Sequence, residues 1–158
     1  FTAPKTIEMW VDPAGAIADV DRSDNVRTEK IGAAANLHVA TFAADVPAPA
    51  DGTTTATLRA TVANAGGLAI PEASVCAYGR RLPATETLLG CRTTGALRAG
   101  GEAEFDWEWP DLGTGGYMAR VAVDPAGAIV ESNEEDNGQS LGFVVPALHA
   151  YGPLLLAR

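Results

Sequence analysis

Residues 103 to 109 read Ala-Glu-Phe-Asp-Trp-Glu-Trp, and no other stretch limits the fold as tightly. Apolar and acidic side chains alternate without a break. Successive side chains of a strand point to opposite faces. Ala103, Phe105, Trp107 and Trp109 therefore share one side, and Glu104, Asp106 and Glu108 the other. A helix would scatter the three acids around its circumference. A strand with one apolar face needs a second layer to cover it.

The same period recurs along the chain. Ala56 to Val62 turns Leu58, Ala60 and Val62 inward. Tyr117 to Val123 and Leu141 to Val145 alternate in the same way. Asn36 to Ala43 is expected to be the first strand of the set. Val75 to Tyr78 and Leu88 to Thr93 supply two more. Breakers fall between the runs: Pro47 to Gly52, Ala65-Gly66-Gly67, Gly100-Gly101 and Gly113 to Gly116. About seven short strands separated by regular turn signals predict an all-β chain, an immunoglobulin-like antiparallel β-sandwich. The 47% hydrophobic content is enough for its core.

A repeat adds to this picture. VDPAGAIADVDRSDN at residues 11–25 returns as VDPAGAIVESNEEDN at 123–137, an offset of 112. Residues 117–145 read as strand, acidic loop, strand, the last hairpin of the sandwich. At the same offset Ile7 to Val11, the first loop and Val26 to Ile31 read identically. The expected organisation is a terminal β-hairpin of a preceding repeat at 1–32, a complete sandwich at 36–146, and an apolar tail or linker at 147–158. The chain opens on Phe1 rather than Met, so it is expected to be processed or excerpted from something longer. A two-stranded hairpin is marginal in water. The face carrying Ile7, Met9 and Val11 is thus expected to pack on the following domain, a partner chain or the rest of its own domain. Trp10 lies on the opposite face, where the second copy has Ala122, and is an interface candidate.

These residues resemble the CARDB family, the cell-adhesion-related domains found in bacteria. The likeness rests on Gly116 and Tyr117, Val123-Asp124-Pro125, Ile129 and the run Glu131 to Asn137. The segment Leu58 to Gly66 is similar to the family's second strand. The resemblance implies an immunoglobulin-like sandwich, often in tandem, in secreted or surface proteins, and it implies no catalysis. Cys76 and Cys91 are not part of the family pattern.

The acidic loops admit two readings. In one they are polar hairpin connections: Pro13 and Pro125 start a turn, Asn25 and Asn137 bond back to the backbone, and Ile17 and Ile129 tuck into the sandwich end. In the other they hold calcium, which takes six to eight oxygens. The donors would be Asp19, Asp21, Asp24 and Asn25 in the first loop, and Glu131, Asn133, Glu135, Asp136 and Asn137 in the second. Cys76 and Cys91 read as one disulfide formed in an oxidising compartment, with two buried thiols as the alternative.

Charge and motif content narrow the function. Twenty acidic against 11 basic residues give a net charge of −9, which opposes binding to nucleic acid or anionic membranes. No run of about 20 apolar residues offers a membrane span. His38 and His149 have no companions at zinc spacing. No serine sits in a nucleophile elbow, and no glycine-rich phosphate loop follows a strand. The expectation is therefore a non-enzyme without cofactor, calcium aside. It would be a secreted or cell-surface spacer or adhesive repeat whose partner is a neighbouring domain or chain. Two alternatives are a subunit that assembles by strand pairing through its N-terminal hairpin, and a substrate-binding accessory domain of a secreted hydrolase. Carbohydrate remains a possible ligand in the latter case. Trp107 and Trp109 are read as core rather than as a sugar platform.

Overall fold

A computed structural model describes residues 5–31, 34–49 and 51–147. Among these residues nine strands follow in order: β1 (Lys5–Trp10), β2 (Val26–Ile31), β3 (Leu37–Asp45), β4 (Thr53–Asn64), β5 (Ser74–Arg81), β6 (Thr87–Thr93), β7 (Glu102–Gly113), β8 (Gly115–Val123) and β9 (Gly138–Val145). A single turn of 3-10 helix, Arg22–Asp24, lies between β1 and β2. Strands β3 to β9 form two antiparallel sheets, ordered β3-β4-β7 and β6-β5-β8-β9. That is the seven-strand sandwich anticipated from the alternation.

The inner faces are the ones the sequence marks. On β7, Phe105 and Trp107 are buried, Ala103 and Trp109 are half-buried, and the three acids face solvent. On β8, Tyr117, Ala119, Val121 and Val123 are all buried, every second residue. Leu58 and Val62 of β4, Val75 of β5 and Val145 of β9 meet them with no exposed surface. Trp109 closes one end of the sandwich. Its ring stands edge-on to Tyr117 and Phe143, at centroid distances of 5.4 and 5.9 Å. A Cβ on Gly79 would come 2.6 Å from that indole, so only glycine fits beneath it. Neither tryptophan forms an open stacking platform.

One expectation fails: Ile17 does not tuck into the sandwich end but is exposed, whereas Ile129 packs on the core. Of the three covers expected for the hairpin's apolar face, the following sandwich is not the one, since Ile7, Met9 and Val11 are 41%, 48% and 68% exposed. The reason is geometric, because the sandwich is already closed by its own β8 and β9. The tail from 148 to 158, with His149 and Leu154 to Leu156, lies outside the described residues.

Candidate functional site

The two acidic loops are the most distinctive feature, and their backbones are alike. Asp12 and Asp124 both take positive φ, 48° and 44°. Each carboxylate accepts two amides ahead of it. Ala16 and Ile17 donate to Asp12, and Ala128 and Ile129 donate to Asp124, over 2.7 to 3.1 Å. A left-handed aspartate held this way is a local turn device. The flanking strands repeat too. The pairing Trp10↔Val26 through Lys5↔Ile31 is Ala122↔Gly138 through Tyr117↔Phe143 moved by the sequence offset. Val11 N–H donates to Asn25 O and Val123 N–H to Asn137 O, at 2.9 and 2.8 Å.

Where the copies differ is in what lies opposite. In the second loop, Glu131 is buried and pairs in parallel with Ala35. One of its carboxylate oxygens accepts the Leu37 amide, and the other accepts Asn137 Nδ2 at 3.0 Å. Ser132 N–H donates to Ala35 O, and Val39 N–H to Asp136 O. The loop therefore clasps the entry of β3 across the end of the sandwich. Burial pushes the Glu131 carboxyl above the ordinary glutamate value, against the pull of the Leu37 amide and Asn137. In the first loop, the side-chain bonds stay within the loop. Asp19 accepts from Asp21 N, Asp21 from Ser23, and Arg22 reaches Ile17 O and Asp12. Asp21 and Asn133 do share one job, since each caps the amide two residues on.

For calcium, the second loop has already committed most of its oxygens. Glu134 accepts from Glu131 N and Asn137 Nδ2, and Asn133 from Glu135 N. Asp136 Oδ1 and Asn137 Oδ1 are buried without a partner. The buried partnerless oxygens number two, against the six to eight that calcium takes. Among the described residues, no group of three or more His, Cys, Asp or Glu is placed to hold a metal ion. Asn137 also departs from expectation, because its amide binds the two carboxylates rather than the loop backbone.

The cysteines lie opposite one another on β5 and β6 and are joined. β6 is the outer strand of its sheet and mostly exposed, so the bond fastens an edge that little burial holds. On the same outer face, Arg120 forks onto Glu86 at 2.7 to 3.3 Å and lies 4.1 Å over the Tyr78 ring. That hydrogen bonding holds Glu86 below its ordinary value and Arg120 above its own. Trp10 is exposed on the hairpin, its indole N–H directed at Glu8.

Two residues have roles that the sequence did not disclose. Asn64 is fully buried. It donates to Leu68 O and Leu97 O and accepts from Asn36 N and Gly66 N. An Asn ending an alternating strand before a Gly pair was the available signal. Tyr117 donates its hydroxyl to Gly113 O at 2.8 Å, locking the β7–β8 corner.

A family model described as CARDB matches residues 34–141. Among solved structures, the chain is similar to the CARDB domain of a Pyrococcus furiosus protein solved in complex with di-metal ions. The TM-score is 0.58 at 23% identity, covering 73% of this chain and 96% of that one. It also resembles part of β-glucosidase 3B from Thermotoga neapolitana, with a TM-score of 0.50 at 19% identity. That likeness covers 71% of this chain but only 16% of the enzyme. No curated protein matches.

Proposed function

The chain belongs to the CARDB family, and on that premise we propose that it works as a non-catalytic spacer or adhesive module of a larger secreted or cell-surface protein. CARDB domains are associated with cell surfaces. The observation that carries the reading is the use made of the signature acids. Asp124 and Glu131 are buried, and both oxygens of each carboxylate accept hydrogen bonds from the fold itself. Acids spent on architecture are not available to general acid–base chemistry. The Cys76–Cys91 bond supports an oxidising compartment. No helix among the described residues is long and apolar enough to cross a membrane.

The test has three arms. The natural protein should be accessible to protease on intact cells, the purified chain should elute as a monomer, and it should stay in the supernatant over insoluble polysaccharides. Retention on a polysaccharide would instead support an accessory domain of a secreted hydrolase. A defined oligomer would support a self-assembling subunit.

A second reading is a cation in the 131–137 loop. It is favoured by the partnerless Asp136 Oδ1 and Asn137 Oδ1, and the Pyrococcus furiosus relative was solved with di-metal ions. Backbone carbonyls and water would have to complete the shell. Calorimetric titration with calcium should give heat and raise the melting temperature; a silent titration removes this reading.

A further inference from the structure

We propose that the groove between the outer face of β8 and the loop that follows it is a docking subsite for an aromatic side chain of a partner protein, presented with an acidic group on one flank and a basic group on the other. This deepens the adhesive reading above and rests on it.

The groove encloses about 470 Å³, within the range of ligand sites, which begins near about 300 Å³. Ala122 and Gly138, a cross-strand pair, line it together with Pro125, Glu134 and Asn137 of the loop and Arg120 of β8. The first hairpin carries the same groove. Trp10 to Pro13, Arg22, Asn25 and Val26 line it, and each of these positions returns, at the offset of 112, in the lining of the larger groove. Yet the first groove holds only about 130 Å³. Two side chains take up the room. Trp10 and Val26 are themselves a cross-strand pair, and they stand where the second copy has Ala122 and Gly138. The fold thus builds one groove twice, walls it with an indole in the first hairpin and leaves it open in the second. A hollow left where an aromatic side chain would stand takes an aromatic group back.

The charges around the two grooves are reversed in sign. Glu8 stands where β8 has Arg120, and Arg22 where the second loop has Glu134. In the first hairpin the indole N–H is directed at Glu8 Oε2, 3.4 Å away. In the second, the guanidinium of Arg120 offers only donors. An occupant therefore brings an acid for Arg120 and a base for Glu134, as Glu8 and Arg22 accompany Trp10. Arg120 is already held in place. It forks onto Glu86 and lies 4.1 Å over the Tyr78 ring, and 36% of its side chain stays exposed. A guanidinium fixed in this way meets a second ring at little further cost in side-chain entropy. The occupant is not a second copy. A knob and a hollow on one chain would join copies head to tail into rings or filaments, whereas a spacer or adhesive module works singly. A different protein that presents such a ring on its surface fits.

The experiment titrates the full chain with a blocked tetrapeptide, Glu-Thr-Trp-Arg, and follows backbone amide shifts. The Ala122 and Gly138 amides should move, and Glu-Thr-Ala-Arg should move neither. Gly138→Val supplies the side chain that the first copy has at this place. Its Cβ meets Val121 O at an ordinary 3.5 Å, so the fold should be kept. The variant should weaken the tryptophan peptide by about tenfold or more, because the added side chain takes the ring's room. Equal binding by Gly138→Val, or amides that stay still up to millimolar peptide, would overturn the proposal. So would soluble cellohexaose moving the same amides in the peptide's place, or self-association that Trp10→Ala abolishes, since the occupant would then be a sugar or a second copy. Failure with the peptide leaves the surface-module reading standing, which fails instead on cell location.

Discussion

At the scale of single residues, the fold depends on a few buried polar groups that must all be satisfied. Asn64 is the clearest, since its amide meets four backbone groups from three segments. Asn64→Ala leaves these groups unpaired, and each buried orphan costs about 1–3 kcal/mol. Asn64→Asp should also be destabilising, because a carboxylate cannot donate to Leu68 O. Urea unfolding of both variants checks this. The carboxyls of Glu86 and Glu131 pull the pH dependence in opposite directions. Glu86 lies below its ordinary 4.5, so its contribution is present above that pH and is lost as pH falls through its folded value. Glu131 lies above 4.5, so the folded state holds its proton longer, and its contribution declines as pH rises through 4.5 to the folded value. Glu86→Gln should flatten the acid side of a stability–pH curve. The effect should be small and salt-sensitive, under about 1 kcal/mol, because the pair is partly exposed.

At the scale of elements, the strands differ in what holds them. β8 is central in its sheet, and alternate side chains enter the core. β6 sits at the edge with little burial and relies on the bond from Cys91 to Cys76. The bridge closes a loop of 15 residues, worth roughly 3 kcal/mol by chain entropy. Replacing both cysteines by serine should lower unfolding stability by about that amount. Amide exchange should quicken in β6 before β8; uniform quickening would mean that the bridge stabilises the sandwich as a whole. The two acidic hairpins show the same logic. Their turns are built by identical local bonds, yet only the second is fastened to another strand.

At the scale of the whole molecule, stability should be uneven. The sandwich has a closed core, while β1 leaves Ile7 and Met9 exposed. In this chain on its own, β1 amides should exchange much faster than those of β8, although the pairing registers match. Equal protection would mean that the hairpin is covered in solution.

Period-two alternation is written into consecutive residues, so the strands, their inner faces and the seven-strand sandwich were legible in the sequence. The hairpin repeat was legible for the same reason: Asp12 and Asp124 build their turns from amides four and five residues away. The pairing of Cys76 with Cys91 could be anticipated because the chain holds just two cysteines. The fate of Glu131, Ile17 and Met9 was not written there. Glu131 and Asp19 occupy the same place in nearly the same loop, but one is buried against β3 and the other lies in solvent. Burial depends on which distant segment lies opposite, and that is decided only when the layers come together.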